Sequence, residues 1–354
     1  MNTPEQVDPH DAAAFDAWYD VFSVADDDGR PYAVGWTREE LRVGLTEPDP
    51  YRDRELWALR DDSGAIAGTM VLDIPLTDNT FRLGAGIAVR ADARRRGYGR
   101  TLGRVLDERA AELDRSVVAT QLEVPLAPPG IAGVDPQGVE GPTAGQAFAT
   151  ALGFSVANFE VHRILELPLA DAVLDELAAE AAERHQGYEL RSWRNRCPDD
   201  LVDAFAALLS TFLDEAPTGD LELEAEHWDA ARIRQVEQQN VTQGRSSWTT
   251  VAIAPDGTLA GHTELVVGRH DPGKVLQWGT LVSPAHRGHR LGLGLKARNH
   301  RELQRTHDEP LVAHTWNGEE NTAMNAVNAK LGFRPVERHE EWQKFVGART
   351  LAGH

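Results

Sequence analysis

Apolar residues along the chain alternate between helical and strand spacing, and the order of the resulting elements occurs twice. Ala14, Phe15, Trp18, Tyr19 and Phe22 recur at helical spacing and predict a helix over 11–22. A short helix is expected over 37–45, with Thr37 as its N-cap and Glu39 and Glu40 in its first turn. Segments 56–59 and 65–74 read as a hairpin about residues 61–64, and 81–89 as the next strand. Helical spacing returns at Leu102, Val105, Leu106, Ala110 and Leu113, followed by a strand over 117–124. Residues 125–145, rich in Pro and Gly, read as a long irregular loop before a helix end at 148–152 and a strand over 158–167. Segment 169–185 predicts a connecting helix. The order then repeats: a strand over 188–193, helices over 198–212 and 222–239, a hairpin of 247–253 with 259–267, a strand over 275–282, a helix over 293–303, a strand over 311–316, a helix over 322–331 and a strand over 337–346. This predicts mixed α/β (α+β, mixed-sheet) architecture in two tandem modules, 1–168 and 187–354, joined by a helix over 169–186.

The strand ending in Ile87, Ala88 and Val89 runs into Arg94-Arg95-Arg96-Gly97-Tyr98-Gly99-Arg100-Thr101 and then into a helix. A strand, a basic glycine-containing turn and a helix start make an anion site, because backbone N–H groups and the positive end of the helix dipole face the turn. Gly97 and Gly99 are expected to let a ligand approach the backbone. The second copy follows Leu281 and Val282 and reads Arg287-Gly288-His289-Arg290-Leu291-Gly292. Each copy is followed downstream by Leu-Gly-Phe, at 152–154 and 331–333.

The arginine–glycine turn resembles the acyl-CoA pyrophosphate loop of the GNAT superfamily of N-acetyltransferases, and the chain as a whole is similar to the tandem two-module acetyltransferases of actinobacteria. The resemblance implies two GNAT-like acyl-CoA N-acyltransferase domains, with the two loops, Thr101 and the strand residues before the loops binding acetyl-CoA as acyl donor. It further implies that Asn321, at the start of a late helix, holds the pantetheine. Two departures stand out. Arg290 replaces the first motif glycine in the second loop. The tyrosine that many relatives place three residues before Leu-Gly-Phe is Ala149 in one copy and Asn328 in the other. Glu123 and Glu264, on strands of the splayed sheet, are the candidate general bases. His262 and His314 sit in strand patterns and are expected to be packed, and Trp278 is expected in the core.

Composition narrows the rest. Lys and Arg total 36 against 56 Asp and Glu, a net charge of −20. That argues against nucleic acid and against an anionic membrane surface as partners, and it favours a small cationic amine as acceptor. Cys197 is the only cysteine, so neither an internal disulfide nor a multi-cysteine metal site is expected; no metal-binding His-Glu-x-x-His occurs either. The start of the sequence lacks a signal-like apolar core, and no run approaches the ~20 apolar residues of a membrane span, so a cytoplasmic location is expected. The expected reaction is acetyl transfer to a primary amine by direct attack in a ternary complex. The rival readings are a catalytically silent acyl-CoA sensor, or one active module beside a vestigial one.

Overall fold

Side-chain caps set several of the helix starts. The computed structural model describes residues 3–27, 29–126, 142–215, 217–307, 309 and 311–347. After β1 (Glu5–Val7), α1 (Ala12–Asp27) leads to α2 (Arg38–Thr46), which begins at a reciprocal capping box between Thr37 and Glu40. Strands β2 (Arg52–Arg60), β3 (Ile66–Pro75) and β4 (Arg82–Val89) form an antiparallel meander. Helix α3 (Tyr98–Glu112) returns the chain to β5 (Val117–Pro125), parallel to β4. Residues 127–141 of the expected long loop lie outside the described residues. Helix α4 (Ala144–Ala151) starts at a second capping box, between Thr143 and Gln146, so its first two residues lie within the stretch expected to be loop.

The second half runs β6 (Ser155–Leu167), α5 (Asp171–Ala182), β7 (Glu189–Arg194), α6 (Val202–Ser210), α7 (Phe212–Glu215), α8 (Ala230–Thr242), β8 (Arg245–Ile253), β9 (Leu259–Gly268), β10 (Asp271–Val282), α9 (Leu291–Gln304), β11 (Leu311–Gly318), α10 (Thr322–Leu331) and β12 (Arg334–Phe345). The helix expected over 222–239 starts only at Ala230, because Asp229 caps it there. The residues before it are held extended instead: Asp220 N–H donates to Ala157 O at 2.7 Å, and Glu224 N–H to Asn79 Oδ1 at 2.8 Å.

The chain divides into two compact units that depart from the sequence halves. One holds Met1–Phe159, Gly219–Glu224 and Arg338–His354, as far as these are described; the other holds Glu160–Thr218 and Ala225–Glu337. The backbone of β6 from residue 160 onward pairs antiparallel with all of β11, so its polar groups are satisfied in the second unit. Residues 338–345 of β12 lie instead at the β5 edge of the first.

In the first unit, helices cover both sheet faces. Phe15 and Trp18 of α1 pack with Leu56 and Ala58 on one, and Leu102 and Leu106 of α3 with Met70, Leu83 and Trp342 on the other. In the second unit the strand order is β6-β11-β10-β9-β8-β7. Its α9 face holds Leu265, Val275, Ala313 and Leu293; its α6 face holds Phe205, Ile233, Val251 and Leu281.

Candidate active site

In each unit a pair of parallel strands meets briefly and then parts. Strands β4 and β5 pair only over 82–84 with 117–119, so Ala85 to Val89 leave β5 and the two strands form a V. Strands β10 and β11 pair only over 274–276 with 312–314 before they separate in the same way. A parted parallel pair leaves backbone donors and acceptors unpaired along both inner edges, where an extended ligand can add as a strand.

At the mouth of each V lies the basic loop, and the two loops share a backbone conformation. Left-handed φ values occur at Arg95 (65°) and Gly97 (94°) in one, and at Gly288 (85°) and Arg290 (54°) in the other. The two left-handed positions thus coincide in sequence register, and glycine and arginine have exchanged places between them. Arg290 occupies the motif-glycine position by adopting that conformation itself, at some local strain. Gly97 and Arg290 are the N-caps of α3 and α9. The N–H groups of the first turn of each helix therefore have no helical acceptor.

The charge around the loops differs. Arg95 and Arg96 are exposed, and with Arg100 they form no ion pair among the described residues; Asp92 is near enough for its charge to reach Arg96. In the second loop, Arg290 bonds Glu180 O and the Glu183 carboxylate at 2.8 and 2.9 Å, Arg287 bonds Glu215 at 2.5 Å, and His289 Nδ1 meets Arg184 O. Arg95, Arg96 and Arg100 thus keep positive charge at the first loop, whereas the second loop has spent its charge within the unit.

Several expected ligand contacts take other roles. A Cβ on Gly99 would lie 2.8 Å from the Phe148 ring, so helix packing against α4 requires this glycine whatever the ligand. Thr101 is buried on the inner side of α3, and Arg104 donates to its hydroxyl. Ala88, Leu281 and Leu291 are buried, which leaves only their backbones to face a ligand. Gly292 is buried, but a Cβ there would clash with nothing, its nearest neighbour being Val327 at 3.8 Å. Asn321 is the N-cap of α10, its Oδ1 accepting from Met324 N–H at 3.1 Å.

The candidate bases sit in different surroundings. Glu123 lies on the part of β5 that has left β4, where Oε1 meets His339 Nδ1 at 2.6 Å and Oε2 is buried without a partner. Sequence reasoning missed His339, because it comes from β12, far along the chain. Glu264 lies on β9 opposite Thr249. The residue keeps some surface, but burial around its carboxyl outweighs the hydrogen bonds from Thr249 and Ser247 and raises its pKa to about 7. Beside it, the ladder of β9 with β10 shifts register between Gln277 and Thr280, a bulge at Trp278 and Gly279. The bulge turns Trp278 outward, 44% exposed, rather than into the core. A Cβ on Gly279 would strike Phe212 at 2.8 Å. No such shift interrupts β3 and β4 in the first unit.

Where a tyrosine was missing, Asn328 is fully buried and accepts from Lys296 Nζ at 2.7 Å, while its own amide donates to Asn317 on β11. Burial, with Arg163 nearby, lowers the Lys296 pKa to about 7. A cavity of about 330 Å³ beside β5 and α4 holds buried Glu340. That carboxylate is already met by Gln146 and Trp342, so the cavity offers little to a ligand. Among the described residues no cluster of His, Cys, Asp or Glu could hold a metal, and no helix is long and apolar enough to cross a membrane.

Comparison with known proteins agrees with this geometry. The acetyltransferase (GNAT) family model matches residues 17–125. A solved tandem GNAT protein from the clavulanic acid biosynthesis pathway is 25% identical, with a TM-score of 0.74, covering 99% of this chain and 100% of its own. A GCN5-related N-acetyltransferase from Sphaerobacter thermophilus has a TM-score of 0.66 at 15% identity, over 98% of this chain and 96% of its own. No curated protein sequence matches the chain. The chain therefore carries a GNAT acetyltransferase domain, the domain of an N-acyltransferase, within a tandem GNAT fold.

Proposed function

We propose that the protein is an acetyl-CoA-dependent N-acetyltransferase that moves an acetyl group to a primary amine of a small cationic molecule by direct attack within a ternary complex. The observation that carries this reading is the repeated V of parallel strands closing on a basic loop with two left-handed residues at a helix start. The loop amides of Gly97 to Gly99 and of Arg290 to Gly292 would take the diphosphate, helped by Arg94, Arg95, Arg96 and Arg100 in one unit and by Arg287 and His289 in the other. The inner edges at 87–89 and 281–282 would take the pantetheine arm. Asn321 would meet that arm through its amide nitrogen, since its oxygen caps α10. Glu123 and Glu264 would be the carboxylates that face the amine. The chain's acidity draws a cation toward either unit.

A division of labour is the second reading, and the charge around the loops favours it. Arg95, Arg96 and Arg100 of the first loop form no ion pair among the described residues, whereas the second loop has its arginines neutralised by Glu180, Glu183 and Glu215. One module would then turn over while the other binds or regulates.

The test is thiol release from acetyl-CoA with a panel of primary amines, run on the full chain. Two variants accompany the wild type: Arg95→Glu with Arg96→Glu, both exposed, and Gly292→Glu, where a Cβ meets no clash, each checked for an unchanged melting temperature. Turnover in the wild type, lost in one variant only, assigns the working module. Saturable acetyl-CoA binding without thiol release from any amine would leave the sensor reading instead.

A further inference from the structure

The second unit contains a buried line of titratable side chains that the proposed function does not use. Glu337 Oε2 lies 2.9 Å from His162 Nδ1, and His162 Nε2 lies 2.9 Å from His314 Nδ1. All three residues are at most 1% exposed. Trp316 stacks on His162 at 4.5 Å between ring centroids and fixes its plane. Among the described residues, no donor or acceptor meets the remaining ring nitrogen, His314 Nε2.

The end of this line is placed by strand geometry. His314 pairs with Leu276 in the last register position before β10 and β11 part, so it stands at the vertex of the V. The bulge at Trp278 and Gly279 begins two residues beyond Leu276. Ala313 faces α9, so by strand alternation His314 and Trp316 face the opposite side, as does His262 on the Glu264 side of β9. That side is where an acceptor would approach, with the donor entering between the strands from the loop.

We propose that Glu337, His162 and His314 form a proton relay whose outer nitrogen, His314 Nε2, is the general base of the second unit. This rests on the acetyltransferase reading and adds to it the group that receives the amine's proton. The tautomers follow from one end: an ionised Glu337 only accepts, so His162 carries its proton on Nδ1. His162 Nε2 then accepts from His314 Nδ1–H, which leaves a lone pair on His314 Nε2. Burial, with His162 and Lys274 nearby, pushes the His314 pKa down to about 3, so the ring is neutral at pH 7 and a weak base by itself, and a proton that it takes has to pass inward; Glu337 opposes that shift.

In the reaction the amine lone pair forms the C–N bond and the C–S bond breaks. The thiolate leaves with that electron pair and takes a proton from solvent. The proton shed by the amine nitrogen passes to His314 Nε2. The His314 Nδ1 proton moves to His162 Nε2, and the His162 Nδ1 proton to Glu337, so no isolated imidazolium remains in the interior. The enzyme resets by returning that proton to solvent. His314 is the catalytic residue; His162 and Glu337 act through it as positioning residues.

The decisive variant is Glu337→Gln, which preserves the acceptor oxygen facing His162 but removes the charge and the proton sink. His314→Gln and Glu264→Gln are measured beside it, with acetyl-CoA as donor and both alkylamines and methoxyamine as acceptors. Methoxyamine, weakly basic and already neutral at neutral pH, tests dependence on the base. His314→Gln is expected to lower kcat for an alkylamine roughly 10²-fold or more, without changing the dissociation constant for acetyl-CoA measured by calorimetry. Glu337→Gln is expected to share much of that loss, at an unchanged melting temperature, and to lose clearly less with methoxyamine. A purely structural role would move the melting temperature and affect both acceptor types alike, and that result overturns the relay. Equal turnover of Glu337→Gln and wild type overturns it too, as does loss confined to Glu264→Gln, or turnover that survives Gly292→Glu and disappears with the first-loop variant. In those three cases the acetyltransferase reading stands. Absence of thiol release from the wild type overturns both, before any variant is compared.

Discussion

Glu264 ionises near pH 7 in the folded protein, against an ordinary value of 4.5, because burial disfavours its charged form. Between these values the folded state binds the proton that the unfolded chain has lost, so this residue makes stability fall as pH rises. Glu264→Gln is expected to remove that slope, and the pH 5 to pH 8 difference in unfolding free energy should shrink by at most about 3 kcal/mol. Urea unfolding of both proteins at the two pH values measures this; identical pH dependence would mean that the carboxyl ionises freely. His300 works in the opposite sense. Both its ring nitrogens are buried without partners, and burial with Lys296 nearby pushes its pKa down to about 3. Its folded value lies below the unfolded one, so stability is lost as pH falls from about 6.5 toward 3. His300→Leu is expected to stabilise the protein by about 1–3 kcal/mol, more at pH 5 than at pH 8, by removing two unsatisfied polar atoms. A loss of stability at pH 5 would show that His300 has an acceptor after all.

Helices α3 and α4 are held at a fixed separation by two glycines of α3. The Phe148 ring fills the space beside Gly99, and the Leu152 side chain approaches the Cβ position of Gly103 to 2.7 Å. Gly99→Ala is expected to cost about 1–3 kcal/mol through overpacking against an inflexible ring, and adding Phe148→Leu should recover part of that cost. A double-mutant cycle in chemical denaturation measures the coupling, and additive effects would mean that the ring moves aside freely. The sequence made most of this region legible. Strand, basic turn and helix were readable because the hydrophobic period changes there from two to 3.6, and the duplicated Leu-Gly-Phe marked both ends of the copies. What Gly99 touches was not readable, because Phe148 lies beyond the long loop. The bulge at Trp278 was equally hidden: an extra residue in a ladder leaves the local pattern of alternation almost unchanged. The Glu337–His162–His314 line joins three strands far apart in sequence, so each histidine alone read as an ordinary packed residue.

Across the whole molecule, the pattern of elements gave the two modules but not the assignment of their last strands. A closing strand has the same alternation whichever unit it completes, and nothing local in β6 or β12 reveals the choice. The consequence for the first unit is specific. Trp342 belongs to the core beneath Leu102 and Leu106, Lys344 is paired with Asp107 at 2.5 Å, His339 with Glu123, and Glu340 with Gln146. A fragment of residues 1–168 contains the whole sequence module yet lacks all four of these β12 side chains and leaves the β5 edge uncovered. It would expose the apolar surface around Leu106 and leave the Glu123 carboxylate without its imidazole. Such a fragment is expected to melt without a cooperative transition and to bind acetyl-CoA poorly. A chain of residues 1–159 with 334–347 fused after it through a Gly/Ser linker is expected to regain a cooperative melt, since it restores the strand that the unit uses. Circular dichroism melts and amide NMR dispersion of the two fragments decide the matter. A fragment 1–168 as cooperative as the fused chain would show that β6 can take the place of β12, and that the first unit tolerates either strand at its edge.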